Sequence, residues 1–405
     1  MATGINKKYV NSKNSITLNY NGKQSNDEII NKKRKFKFRE VENYGDEPNN
    51  LLIHGDNLLG LEYLLNTLNL KGKIDLIYID PPYGTNSIFK TRSDKIAYSD
   101  QLIEEEYIEF LRERIILMRE LLSDKGSIYV HLDETMAFSI KIIMDEVFGR
   151  DNFRNWITRI KSSNKNTTRN RYGNIADYIM YYTKTKQYIW NRAYTDWNEE
   201  TILKEYPNVE PKTNRRYKKV PIHAPGIRNG ETAKEWRGLK PPPGKHWQYL
   251  PSKLDEFDAK GEIYWSKNGN PRRKVYLDNS KGIAVQDVWD LKDARHQSHK
   301  ITGYPTEKNK LILDRIISSS SNEDSIVLDC FAGSGTTLVS AQEHKRKWIG
   351  MDSSSESITT IINRFEHGSS AMGDYVLNNK VEQQSFEFDN LNKNNSCFKL
   401  IEINK

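Results

Sequence analysis

The chain has 405 residues, of which 36% are hydrophobic and 11% aromatic, with a formal net charge of +8 and a pI near 9.0. That length suits roughly two or three domains, or one large domain carrying an insertion, and the composition is that of a globular protein. No apolar run reaches the ~18 residues of a membrane span, and the Lys/Asn-rich start has no apolar signal-peptide core. Cys330 and Cys397 alone exclude a disulfide framework and a cysteine-based zinc site. The expectation is therefore a cytoplasmic protein with no membrane contact. The basic balance fits a polyanionic partner, although AT-rich coding would also produce a Lys/Asn/Ile-heavy chain.

Residues 1–49 are polar, with a basic knot at Lys32-Lys33-Arg34-Lys35, and read as an N-terminal basic arm. Leu51 to His54 is a short apolar strand ending in Gly55 and Asp56. Asp56 or Asn57 caps the following helix, where Leu58, Leu61, Leu64, Leu65 and Leu68 recur at helical spacing. Gly72 breaks the chain before a second apolar run, Leu76 to Ile79. It is rich in β-branched residues, as in a strand buried on both faces of a parallel sheet. Pro81 and Pro82 lack backbone donors and end that strand, so Asp80 is delivered to the carboxyl edge of the sheet, where open α/β sheets bind ligands. A loop to Asp100 follows, long enough to act as a lid.

A helix is expected from Glu104 to Leu122, closed by Gly126, then a strand from Ser127 to Leu132 and a helix from Met136 to Phe148. The stretch Trp156 to Arg171 is basic and hydroxyl-rich, with Arg159, Lys161, Lys165, Arg169 and Arg171. Ile175 to Tyr182 is a further strand. From about Trp190 to Trp289 regular period is lost. Aromatics there alternate with Arg215, Arg216, Lys218, Lys219, Arg237, Lys245, Arg272 and Arg273, a pattern able to follow a phosphate backbone and read base edges. A small core of Trp236, Trp247 and Trp265 is compatible with the same segment. Helical period returns over Glu307 to Ile317, followed by the strand Ser325 to Asp329, a glycine-rich turn, a helix through His344, the strand Lys347 to Asp352 and a helix from Ser357 to Phe365. Phe386, Phe388, Phe398, Leu400 and Ile401 suggest a short C-terminal hairpin. The βα alternation argues for an α/β fold with a doubly wound, mostly parallel sheet. The domain reading is 1–49 arm, 50–192 first half, 193–292 insertion, 293–370 second half and 371–405 extension.

Two motifs carry chemistry. Asp80 beside the ring of Tyr83 offers a rigid acceptor to a planar, amino-bearing molecule; the alternative is a strand-ending turn with a surface acid. Gly333-Ser334-Gly335 lets backbone approach a ligand at a helix N-terminus. It is not a full dinucleotide fingerprint, because Leu338 takes the third glycine position, nor a P-loop, because no lysine follows. Asp352 lies about 20 residues on, where a ribose-binding acid is expected. A nucleoside without pyrophosphate fits, and S-adenosylmethionine is such a ligand.

The ordered blocks Gly55-Asp56-Asn57-Leu58, Asp80-Pro81-Pro82-Tyr83, Tyr98-Ser-Asp100, Gly126 to Asp133, Tyr304-Pro-Thr306-Glu-Lys308 and Asp329-Cys-Phe331-Ala-Gly333-Ser334-Gly335 resemble the β-class amino-group DNA methyltransferases, in which the Asp-Pro-Pro-Tyr motif precedes the Phe-x-Gly-x-Gly motif. The blocks around Trp236 to Trp247 and Gly261 to Trp265 are similar to modification subunits of type III restriction systems and their stand-alone relatives. The resemblance implies an S-adenosylmethionine-dependent methyltransferase fold with circularly permuted motifs and a target-recognition insertion. It implies methyl transfer to adenine N6 in double-stranded DNA, without a metal. Asp80, Pro81, Pro82 and Tyr83 would act on the base. Asp56 would hold the cofactor adenine, Asp352 its ribose and Phe331 to Gly335 its methionine end, with Thr306 and Lys308 near the carboxylate and Asp329 and Thr336 also binding the cofactor. A homodimer and a restriction subunit are the implied protein partners. Asn309 stands where the family usually has Pro, and the chain is shorter than a typical type III subunit. The alternatives are a cytosine-N4 enzyme, an RNA or protein-glutamine methyltransferase, and a catalytically silent nucleic-acid-binding relative.

Overall fold

A computed structural model of the chain describes residues 16–46, 48–82, 88–90, 96–99, 104–162, 170–291, 307–367 and 397–404. The chain divides into two compact units, residues 1–192 with 286–405, and residues 193–285.

The first unit is built on a ten-stranded sheet. Its strands are β1 (Lys37–Tyr44), β2 (Asn50–His54), β3 (Ile74–Ile79), β4 (Leu122–Leu132), β5 (Phe153–Ile160), β6 (Ala176–Thr183), β7 (Val288–Trp289), β8 (Ile326–Asp329), β9 (Lys347–Asp352) and β10 (Phe398–Asn404). The spatial order is β1-β10-β2-β9-β8-β3-β4-β6-β5-β7. The six strands from β10 to β4 are parallel, while β1 and β6 run antiparallel to their neighbours. The helices are α1 (Asn26–Asn31), α2 (Asn57–Asn66), α3 (Glu104–Leu121), α4 (Ala137–Phe148), α5 (Lys310–Ser320), α6 (Thr336–Glu343) and α7 (Ser355–His367).

The connections explain the layering. β2-α2-β3 and β3-α3-β4 step one way across the sheet, whereas β8-α6-β9 and β9-α7 step the other way. Right-handed crossovers then put the two helix sets on opposite faces. The expected doubly wound sheet is thus observed, and its direction reverses between β8 and β3. Strand β3 shows why the apolar runs are continuous. Ile77 and Ile79 join the core under α2, α3 and α4, with Leu61, Leu64, Leu111, Ile115 and Ile143. Leu76 and Tyr78, on the alternate side, are equally buried, as are Ile312, Ile316, Leu338 and Ile361 of the helices α5 to α7.

Several elements differ from expectation. Residues 16–46 are not a loose arm. Ser25 and Glu28 form a capping box on α1, Ile29 is buried, and Arg34 pairs with Glu62 and Glu113. At the C-terminus, β10 joins β1 antiparallel and β2 parallel, so the last strand completes the main sheet rather than a local hairpin; Phe386 and Phe388 lie outside the described residues. The basic stretch at Trp156 begins inside strand β5, paired along its length with β6. Helix α3 ends at Leu121, and Gly126 sits at an irregularity within β4, where a Cβ would stand 2.9 Å from the Ile74 carbonyl oxygen. Helix α5 starts at Lys310 because the Asn309 side chain accepts from Leu311 N–H at 2.9 Å. Asn309 therefore supplies a cap where a Pro would supply only a fixed φ.

The second unit holds a four-stranded antiparallel sheet of Asn208–Val209, Arg216–Pro221, Pro271–Tyr276 and Ile263–Trp265, in that order. Helix Pro251–Ala259 and the pair His223–Pro225 with Lys245–Trp247 complete it. Its core is Ile222, Trp236, Trp247, Leu254, Phe257 and Ile263. Trp265 stacks on Trp236 at 5.4 Å but remains at the rim. No helix among the described residues is long and apolar enough to cross a membrane.

Candidate active site

The point where the sheet reverses direction opens a cleft of about 320 Å³ at the carboxyl edges of the strands. Asp80, Pro81 and Pro82 after β3 line it, with Asp329 to Ser334 after β8, Asp352 to Ser354 after β9, and Asp56 and Asn57 after β2. Four carboxylates thus converge on one space.

On the glycine-turn side the loop is held by its own backbone donors. Gly333 N–H donates to Asp352 Oδ2 at 2.8 Å, and Ser354 N–H donates to Asp352 Oδ1 at 2.9 Å. Gly335 caps α6 at φ 75°. A Cβ at that position would lie 2.8 Å from Ile361 Cγ1, so left-handed backbone and close approach both require glycine. Asp329 accepts from Phe331 N–H at 3.0 Å and from the Thr337 hydroxyl at 2.6 Å. Its burial pushes the carboxyl up to about 7. Asp352 is raised by the same cause. Thr336 donates to the Lys308 carbonyl at 3.3 Å. It accepts, as does the Ser334 carbonyl, from Arg364, whose buried guanidinium also pairs with Glu307 at 3.2 Å.

At the β2 corner, Asp56 is the N-cap of α2, accepting from Leu58 N–H at 2.7 Å, and it pairs with Arg114 at 3.2 Å. Arg114 lies 3.5 Å from the centre of the Phe110 ring. Burial lowers its guanidinium to about 10. Asn57 accepts from Arg114 and donates to the Cys330 carbonyl at 2.8 Å, tying this corner to the glycine turn.

The Asp80 side is a chain of charges. Lys308 Nζ stands 2.6 Å from Asp80 Oδ2, and His131 Nδ1 stands 4.0 Å from Oδ1. Behind them Tyr78 hydroxyl meets His131 Nδ1 at 2.8 Å. His131 Nε2 faces Asp177 Oδ1 at 3.1 Å, and Arg159 donates to Asp177 Oδ2 at 2.8 Å. Burial works to raise the Asp177 carboxyl, but His131 and Arg159 outweigh it and hold it well below the usual range. Burial pushes the Tyr78 phenol far up.

Sequence reasoning assigned Asp80, Pro81 and Pro82 to the base and Asp56, Asp329, Phe331, Gly333, Ser334, Thr336 and Asp352 to the cofactor, and both sets line one cleft; Gly335 shapes its turn. Lys308 lines the same cleft, with its ammonium 2.6 Å from Asp80. Tyr83, Thr306, Lys165 and Arg169 lie outside the described residues. Arg159, within the basic stretch, is buried against Asp177. Lys161 is half-buried and Arg171 exposed. In the second unit Arg215 grips Asp278 with two hydrogen bonds, Arg237 binds Asp255 and Asp258, and Lys218 and Arg273 lie near Glu205 and Glu262. Arg216 donates to the Tyr206 carbonyl, and Lys219 lies over Tyr264. Lys245 and Arg272 are exposed without a carboxylate partner among the described residues. Sequence reasoning missed Asn57, Phe110, Arg114, His131, Asp177 and Arg364. Phe110 aside, their signal was present as polar residues set within buried apolar stretches, which require partners.

Residues 74–363 match the family model described as DNA methylase. The type II methyltransferase M.EcaI of Enterobacter cloacae is 46% identical over 94% of this chain and 89% of its own length. The type III StyLTI Mod subunit of Salmonella typhimurium is 29% identical over 71% of this chain; the match takes in about half of that subunit, 49%. Among solved structures, the M1.HpyAVI–SAM complex aligns with 78% of this chain and 98% of its own, at 17% identity and a TM-score of 0.39.

Proposed function

Because the chain belongs to the DNA methylase family, we propose that it transfers a methyl group from S-adenosylmethionine to N6 of an adenine turned out of double-stranded DNA. The observation that carries this reading is the shared cleft: Asp80 and the Gly333 turn with Asp352 open onto the same space. When bound there, S-adenosylmethionine supplies an electrophilic methyl group. The residues present fit it. The glycine turn offers close backbone approach, Asp352 keeps lone pairs for ribose hydroxyls beyond its two backbone bonds, and Asp56 stands ready to accept from an exocyclic amino group. The acid side chains of Asp56, Asp80 and Asp352 also suit a sulfonium charge.

Asp80 performs the work on the base. The lone pair of an exocyclic amine is delocalised into its ring, which makes it a weak nucleophile. Asp80 and the Pro81 carbonyl each accept one N6–H, drawing the nitrogen toward tetrahedral geometry and freeing its lone pair for in-line attack. That is positioning plus charge stabilisation in the transition state. A carboxylate has about four acceptor sites, so Lys308 and an amino donor share Asp80. Aspartate at the first motif position favours adenine N6 over cytosine N4. Residues 193–285 select the site. Exposed Lys245 and Arg272, with Lys219, contact phosphate.

The test is incubation with methyl-labelled cofactor and duplex DNA, followed by nucleoside analysis. Label in N6-methyladenine is expected. Label in N4-methylcytosine would replace the target base, and unlabelled DNA would sink the reading.

A further inference from the structure

We infer that the buried pair His131–Asp177 takes up the proton released from the target amine, receiving it through Asp80. The inference rests on the methyltransferase reading above and extends it to groups outside the cofactor cleft.

Transfer forms an N–C bond as the S–C bond breaks, and the positive charge of the sulfonium moves to the amine. One N6 proton must then leave. Asp80, which accepts that N–H, is the first station. Its Oδ1 faces His131 Nδ1 at 4.0 Å, about 1 Å beyond a hydrogen bond, a gap that a small side-chain rotation closes. The ring is set up to receive. Its Nε2 faces Asp177 Oδ1 at 3.1 Å, a contact bent off the hydrogen-bond line. A carboxylate there favours the ring proton on Nε2, so that Nδ1 accepts from the Tyr78 hydroxyl, which turns away as Asp80 closes on the ring. When the proton moves from Asp80 to Nδ1, Asp80 is again a carboxylate and an imidazolium faces Asp177. Arg159 anchors the other Asp177 oxygen at 2.8 Å and fixes its orientation.

The burial is what sets this arrangement apart from a surface ion pair. His131 has no exposed area, and the side chain of Asp177 is 5% exposed. A buried carboxylate must be paired, and here its two oxygens are divided between a permanent cation and a titratable one. The charged and titratable groups around the imidazole are Tyr78 and Asp80 at the end of β3, Asp177 on β6, Arg159 on β5, Lys308 before α5 and Asp329 on β8. Lys308 lies on the other oxygen of Asp80, Oδ2.

The test measures single-turnover methylation of duplex DNA against pH through the imidazole range for wild type, His131→Gln and Asp177→Asn. Thermal melting and cofactor affinity are followed alongside. Wild type is expected to gain rate as pH rises through one ionisation. His131→Gln should lose about 10²-fold and lose that ionisation, while still binding cofactor. Asp177→Asn keeps the ring and removes the charge that stabilises its imidazolium, so the midpoint should move to lower pH. A His131→Gln enzyme that slows but keeps the wild-type pH profile overturns the inference, because His131 would then only orient Asp80. An unmoved midpoint in Asp177→Asn overturns it too, and decides the matter alone if His131→Gln does not fold. Failure of wild type to label DNA would instead remove the parent reading.

Discussion

Replacing Asp329 by Asn should stabilise the protein at neutral pH and do nothing for it in acid. Asp329 is buried at the end of β8, with one N–H and one hydroxyl donated to it, and burial takes its carboxyl from 3.8 to about 7. Well below 3.8 the folded and unfolded chains both carry the proton, and the group is neutral to stability. As pH rises the unfolded chain ionises first while the folded one holds its proton. Stability from this group therefore falls through the window and levels off above about 7. At ~1.4 kcal/mol per pH unit, the full loss is roughly 4 kcal/mol. Asn has the same shape and no charge. It must accept a reversed hydrogen bond with Thr337, at a cost of about 1 kcal/mol, so a net gain of roughly 3 kcal/mol is expected above the window. Urea denaturation at about pH 5 and about pH 8 reads it. The advantage of the variant should be much larger at the higher pH. An equal difference at both would refute the argument that Asp329 is held protonated. Such a destabilising acid in the cleft is the kind of cost that function retains.

Asp352→Ala should weaken S-adenosylmethionine binding by about 1–3 kcal/mol and leave DNA affinity in place, as read by calorimetry; unchanged cofactor affinity would remove Asp352 from the ribose. Gly335→Ala forces a side chain into φ 75° and against Ile361, and should cost roughly 2 kcal/mol or more of stability in a thermal melt. Arg272→Ala should lower the salt slope of DNA binding by about one, whereas Arg215→Ala, already committed to Asp278, should lower it less; equal slopes would show that internal pairing does not set the phosphate contacts.

The sequence made most of the central sheet legible because β2, β3, β4, β8 and β9 are buried on both faces and appear as unbroken apolar runs. Strand β5 escaped notice because Arg154, Asn155 and Arg159 interrupt its pattern, and Arg159 finds its partner only on β6. Strand β1 escaped, and β10 was read into a local hairpin, because their pairing joins opposite ends of the chain. The acids at strand ends were readable from position alone, since a strand followed by Gly or Pro places its next residue at the sheet edge. The charge chain behind Asp80 was not. His131 and Asp177 sit in the apolar runs Tyr129-Val-His-Leu132 and Ala176-Asp-Tyr-Ile179, and only antiparallel pairing of β4 with β6 brings them face to face. Composition likewise records Arg215 and Arg237 but not the aspartates that fold against them.

The central claim is that Asp80 acts on the target base and not on the cofactor. It is tested most directly by comparing Asp80→Ala with wild type in one preparation of labelled S-adenosylmethionine, measuring cofactor binding and transfer of label to duplex DNA side by side. Cofactor binding close to that of wild type and no detectable transfer are expected. Comparable turnover by the variant, or loss of cofactor binding in parallel with transfer, would contradict it.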